Sequence, residues 1–222
     1  GGLVVADFRT VPLPSASDSD ALAVHPAPRH EPVTGGSQVR LLVSACLLGE
    51  RVRYDGQHKY DPFLVETLGR FVEWERVCPE SDCGMPTPRP SLHLVGDPSA
   101  PRLINRFGVD MTEQLERFTQ ERLRALESLD ICGYICKKDS PSSGMARVKV
   151  YNENGMAERV GVGLFTAAFM ARFPLVPVEE EGRLHDAGLR ESFIERVFSR
   201  RRWLDLVQGG RRRGRLVEFH AD

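Results

Sequence analysis

Long apolar runs are missing from this chain of 222 residues. No stretch approaches the ~18 consecutive apolar residues that a membrane-spanning helix needs. An excess of either charge is missing too: Lys plus Arg is 30 and Asp plus Glu is 31, a formal net charge of -1. That balance makes nucleic acid an unlikely partner, because a general nucleic-acid binder carries a basic surplus. Gly1 to Asp7 is apolar but has no basic flank and no small-residue cleavage site, so no signal peptide is expected. His58, His93 and His185 stand alone, without a zinc spacing. The Gly-x4-Gly-Lys frame of a P-loop is absent, and no internal repeat appears. Cysteine is scarce and odd in number: Cys46, Cys78, Cys83, Cys132 and Cys136. A chain of this length does not need disulfide staples, so the five thiols point to a reducing, cytoplasmic compartment. Each can bind metal, react or fill core.

What is present organises into three stretches. Residues 1–38 carry five prolines, a Ser/Asp-rich run and Gly35-Gly36, and hold no hydrophobic period; they read as a disordered leader. Residues 39–174 read as one α/β domain, and 175–222 as a C-terminal extension with a helix and a basic tail. Leu41 to Cys46 is a buried-strand run, and Asp61-Pro62 opens a helix. Phe71 to Cys78 is a second strand. Pro79 to Pro90, with four prolines, is a rigid loop. Leu92–Val95 and Arg102–Ile104 suit a hairpin or edge strands. Asp110 to Glu113 resembles a capping box, and Met111 to Leu129 spaces its apolar residues for one helix face. Ile131–Cys136 is a strand, Lys137–Met145 a Ser/Pro/Gly loop, and Arg147–Tyr151 a strand before the turn pair Asn154-Gly155. Helix Leu164–Phe173, strand Leu175–Val178 and helix Leu189–Val207 follow. Alternating strands and helices predict a single layered α/β domain with a mainly parallel sheet and flanking helices, Rossmann-like or flavodoxin-like.

Such sheets keep their sites beyond the carboxyl ends of the strands. Three predicted strands end at Cys46, at Cys78 and at Cys136. Each leads into residues with chemistry. Ser44 to Gly49 offers a thiol at a strand end, equally readable as core. Cys78-Pro79-Glu80-Ser81-Asp82-Cys83 places two thiols and two carboxylates within six residues; Glu80 suits a general acid or base, and the gap from Cys78 to Cys83 also occurs among iron–sulfur ligands. Lys137 to Gly144 offers hydroxyls and backbone N–H groups in a tight loop, either an oxygen-binding nest or a solvated connection. Arg200–Arg202, Arg211–Arg213 and Arg215 form a basic C-terminal patch, most simply a solvated face.

Together these loops resemble the thiouracil desulfidase family. The resemblance rests on Ser44-Ala45-Cys46-Leu47-Leu48-Gly49 with Arg53-Tyr54-Asp55-Gly56, then Cys78-Pro79-Glu80 with Pro86-Thr87-Pro88-Arg89-Pro90, then Ser140-Pro141-Ser142-Ser143-Gly144 before Arg147 to Tyr151. It extends through Phe173-Pro174, Pro177 to Glu180 and Phe193 to Phe198, as in a variant fused to a second uncharacterised domain. Arg215 to His220 is similar to that domain's opening, at which the chain stops. The resemblance implies an α/β domain holding a [4Fe–4S] cluster on three cysteines, with the fourth iron open to substrate sulfur. It implies non-redox removal of sulfur from a thiolated nucleobase or similar small thioamide. Cys46 and Cys78 map to two of the ligands. Ser143 stands at the position of the third, so either Cys83 or Cys136, in preference to Cys132, substitutes, or Ser143 itself ligates weakly, or the cluster is lost and the chain is a cluster-free binding or regulatory module. By motif, Glu80 activates water or shuttles protons, and Ser140 binds substrate or relays a proton.

Overall fold

A computed structural model describes residues 38–208. The leader expected over residues 1–38 lies outside the described residues except for residue 38, as do Arg211–Arg213 and Arg215 to His220. Leu41, Leu42 and Val43 have no solvent exposure, and they form strand β1 (Val39–Ser44) in the middle of a sheet. The other central strand, β5 (Ile131–Cys136), is buried at every position. Strands covered on both faces read as continuous apolar runs, which is how both announced themselves. With β2 (Val72–Val77) and β8 (Val178–Glu180) they build an all-parallel sheet in the order β2-β1-β5-β8.

A second four-stranded sheet follows the order β4-β3-β6-β7, made of β3 (Leu92–Val95), β4 (Arg102–Asn105), β6 (Val148–Tyr151) and β7 (Ala157–Gly161). Only its central pair, β3 with β6, is parallel. The sequence reading contained no β7. Its first four residues are exposed and carry Glu158 and Arg159, so no buried alternation marks them. β8 also starts later than expected. Pro174 and Pro177 lack the N–H a ladder needs, and pairing begins only at Val178. Within the expected loop Pro79–Pro90, a single helical turn, α1 (Pro79–Asp82), forms behind Cys78.

Helices cover both faces of the parallel sheet. On one face α4 (Ala187–Gln208) sets Phe193 and Val197 against Leu41, Val43 and Ile135. On the other, α2 (Thr112–Leu126) and α3 (Leu164–Arg172) set Leu123, Phe165 and Phe169 against Leu42, Ile131 and Tyr134. β8 and α4, from the segment read as an extension, thus join the same sheet and core as β1. A bulge at Cys132 shifts the register between Arg40↔Ile131 and Leu41↔Gly133. The extra residue lets Ile131 and Tyr134 face the same side. α2 begins without the reciprocal capping box. Instead the Asp110 carboxylate accepts from the Thr112 N–H at 2.9 Å and its hydroxyl at 2.6 Å. Among the described residues no helix is long and apolar enough to cross a membrane.

Gly133 shows how closely α4 approaches β5. A Cβ there would lie 2.8 Å from Val197 Cγ2 and 3.1 Å from Leu41 Cδ2. Overpacking a filled core costs about 1–3 kcal/mol, so Gly133→Ala is expected to lose that much stability in urea denaturation.

Candidate active site

Three strand ends lie side by side because the sheet order is β2-β1-β5. The chain segments that follow them close around a cavity of about 460 Å³. Cys46, Cys78, Glu80, Ser140 and Ser143 all contribute to its wall. Residues 30 to 100 apart in sequence therefore meet at the place where open α/β sheets keep their sites.

The first segment is a tight turn, Ala45–Leu48, ended by Gly49 at φ 95°. That left-handed geometry is one glycine adopts without penalty. The Cys46 carbonyl accepts the Lys59 N–H at 2.8 Å, which fixes the turn. Burial, reinforced by the nearby Cys78 thiol, pushes the Cys46 pKa from 9.0 up to about 12, against the opposing pull of Lys137 and Arg53.

The second segment begins at Cys78, whose N–H donates to Asp82 Oδ2 at 2.9 Å and whose thiol points at the Val52 carbonyl, 3.7 Å away. Burial pushes its pKa up as well. α1 then carries Glu80 inward. Its Oε2 accepts two bonds from Arg89, at 2.9 Å from Nε and 2.6 Å from Nη2. The Arg89 side chain is 3% exposed. It also donates to the Val52 carbonyl, Ser81 Oγ and Thr87 Oγ1, so all five guanidinium N–H groups have acceptors. Glu80 Oε1 accepts from Ser142 Oγ at 2.8 Å. Each carboxylate oxygen has two acceptor positions. Oε2 is saturated by Arg89, while Oε1, on a side chain that lines the cavity, keeps one acceptor position unused.

The third segment is the serine loop. Ser140 Oγ accepts the N–H groups of Ser142 and Ser143 at 3.3 and 3.1 Å and lies 3.0 Å from Ser142 Oγ. A chain of hydroxyls thus runs from Ser140 through Ser142 to Glu80. The loop is pinned from behind. The Leu164 and Phe165 N–H groups at the start of α3 donate to the Pro141 and Ser142 carbonyls, and Thr166 Oγ1 donates to the Ser143 carbonyl at 2.6 Å. Glu180 Oε1 accepts from the Met145 and Ala146 N–H groups, and Glu181 holds Lys137 and the Lys138 N–H. α3 comes so close that a Cβ on Gly163 would fall 2.5 Å from the Ser142 backbone.

The remaining thiols lie off the cavity wall. Cys83 packs with the core of the second sheet, and its sulfur donates to the Glu80 carbonyl at 3.2 Å. The Cys136 sulfur is enclosed in the α3 side of the core, 3.5 Å from the Glu179 carbonyl. Cys132 belongs to the α4 side. Among the described residues no three His, Cys, Asp or Glu side chains group to hold a metal. His93 packs edge-on against Tyr151, and His185 lies 3.3 Å from Asp61; neither reaches the cavity. Arg89 and Ser142 were given no individual role by sequence reasoning. The one signal for Arg89 was a single cation set among Pro86, Pro88 and Pro90 in a rigid loop, a setting in which a charge without solvent needs a partner.

Two outcomes follow. Removing one partner of a buried ion pair strands the other charge and costs about 3–5 kcal/mol; Arg89→Met is expected to lose stability of that order in urea denaturation. The Cys46 pKa is higher in the folded than in the unfolded chain. Its contribution to stability is therefore complete below about pH 9 and lost as pH rises towards about 12. Melting curves across that window are expected to show an alkaline loss that is smaller in Cys46→Ser.

Residues 41–181 match the family model described as 2-thiouracil desulfurase. An uncharacterised Bacillus subtilis protein, YbbK, is 26% identical over 139 residues, covering 59% of this chain and 88% of the relative. Among solved structures, a [4Fe–4S]-dependent thiouracil desulfidase, TudS, superposes with a TM-score of 0.56 at 31% identity, covering 70% of this chain and 99% of that one. The matched segment contains all three cavity loops, and on that ground the chain belongs to the 2-thiouracil desulfurase family.

Proposed function

We propose that the chain takes a thiolated nucleobase of the thiouracil type, or a similar small thioamide, and replaces its thiocarbonyl sulfur with oxygen in the cytoplasm. The observation that carries this reading is the meeting of Cys46, Cys78, Glu80 and Ser140 on one cavity wall inside the family segment. The reaction is a hydrolysis: C=S and water become C=O and hydrogen sulfide, with no change of redox state. Water attacks the carbon, and its proton passes to the open lone pair of Glu80 Oε1. Arg89 occupies the other carboxylate oxygen and fixes the orientation of the first. Ser142 spends its one proton on Glu80 Oε1, so Ser140 donates to Ser142 at rest and turns that proton to the bound heterocycle. The departing sulfur takes up a proton from this network.

The solved relative depends on a [4Fe–4S] cluster. Iron–sulfur clusters are held by soft thiolates. The cavity presents two thiols, Cys46 and Cys78, and at the third position the hydroxyl of Ser143. That donor set does not fit a cluster on three cysteines. The same observation favours a second reading: a cluster-free module that binds the heterocycle without turning it over.

The test uses 2-thiouracil as probe, under anaerobic conditions, with thiocarbonyl absorbance, sulfide release and calorimetric binding followed together. Sulfide release that falls about 10²-fold or more in Glu80→Gln, the size of a lost general base, is expected. Tight binding without sulfide supports the module, and neither binding nor release overturns both readings.

A further inference from the structure

We propose that this chain does not assemble the [4Fe–4S] cluster its solved relative depends on, and that one atom, the Ser143 oxygen standing where a sulfur is needed, is the reason. This goes beyond the function proposed above, since it concerns what the cavity can hold rather than what it turns over.

Four observations carry it. First, the three strand-end segments deliver two thiols and one hydroxyl to the cavity wall. A serine hydroxyl is a hard donor with a tightly held proton, poorly matched to an iron–sulfur centre.

Second, no other cysteine stands in. The Cys136 and Cys83 sulfurs are committed to the Glu179 and Glu80 carbonyls. Cys132 lies on the α4 side of the sheet, against the core around Phe193 and Val197.

Third, the serine loop cannot slide to offer a different residue. Its carbonyls are bonded to the first N–H groups of α3 and to Thr166 Oγ1. Gly163 is packed so tightly against Ser142 and Ser143 that not even a methyl group would fit. A one-residue shift would break all of these contacts together.

Fourth, the neighbours of Ser143 are hydroxyls. Ser142 Oγ is 3.4 Å from its Oγ. The fully buried Tyr134 hydroxyl interacts with the Thr166, Ser44 and Ser143 side chains. Ser143 itself is buried, and burial penalises the charged alkoxide that would have to ligate iron.

The same geometry makes the defect repairable. Ser143→Cys exchanges one atom at a side chain already on the cavity wall, leaving the loop's backbone bonds untouched. The experiment is anaerobic reconstitution of the full chain with ferrous iron and sulfide, read by iron and acid-labile sulfide per chain and by visible absorbance. Thermal melting runs alongside to certify folding. The unaltered chain is expected to retain less than about one iron. Ser143→Cys is expected to retain about four, the count of a [4Fe–4S] centre, and to lose them when Cys46→Ser is added. About four irons on the unaltered chain overturn the proposal whatever the variants do. A Ser143→Cys chain that fails to fold, or folds and takes up no more iron than the unaltered chain, overturns the assignment to that atom. Iron content is independent of the 2-thiouracil measurements, so failure here and failure of the functional reading are told apart.

Discussion

The buried pairing of Glu80 with Arg89 ties together all the segments around the cavity. Arg89 comes from the proline-rich loop, Glu80 from α1, the Val52 carbonyl from the segment after β1, and Ser142, on the far oxygen of Glu80, from the loop after β5. A buried ion pair is weak evidence for net stability, because desolvating both charges offsets most of their attraction. What it supplies is geometry. With every guanidinium N–H used and one carboxylate oxygen saturated, only one acceptor position on Glu80 is left unused. The surrounding loops inherit that orientation.

The sheet explains why these loops meet at all. Parallel strands send every carboxyl end to the same edge, and the order β2-β1-β5 places three of them in a row. The acidic edge strand β8 then braces the third loop from outside. Glu180 and Glu181 accept backbone N–H groups that no strand or helix uses. Backbone donors outside the ladders need partners, and here Glu180 at the end of β8 and Glu181 just after it provide them. The close approach at Gly163 has the same effect: the absence of a side chain lets α3 cap itself with the loop's own carbonyls.

The thiols separate along this architecture. Cys46 and Cys78 stand just past strand ends and reach the cavity; Cys132 and Cys136 lie within β5 and are taken up by the two faces of the core. Both side chains stand off the faces of the sheet rather than its end, and the bulge at Cys132 puts them on opposite faces, where strict alternation would have put residues four apart on one. Cys83, one helical turn beyond Cys78, is carried around to the second sheet.

Much of this was legible in the amino-acid order. Continuous apolar runs marked β1 and β5, the spacing of Leu115, Leu123 and Leu126 marked α2, and the three cysteine- and serine-bearing loops marked the site, because these signals are local. β7 was not legible, since an exposed edge strand carries no burial pattern. The start of β8 was displaced because prolines remove ladder donors without removing apolar character. The division into two sheets, the Arg89 and Ser142 contacts on Glu80, and the placing of Cys83 and Cys136 in core packing off the cavity wall were decided only by tertiary structure. Each depends on which strand lies beside which and on how closely a helix can approach a loop. The sequence alone determined which chemical groups follow each strand. The packing of Gly163 against the serine loop and the order of three parallel strands determined which of those groups share a cavity, and left Ser143, not a third thiol, on its wall.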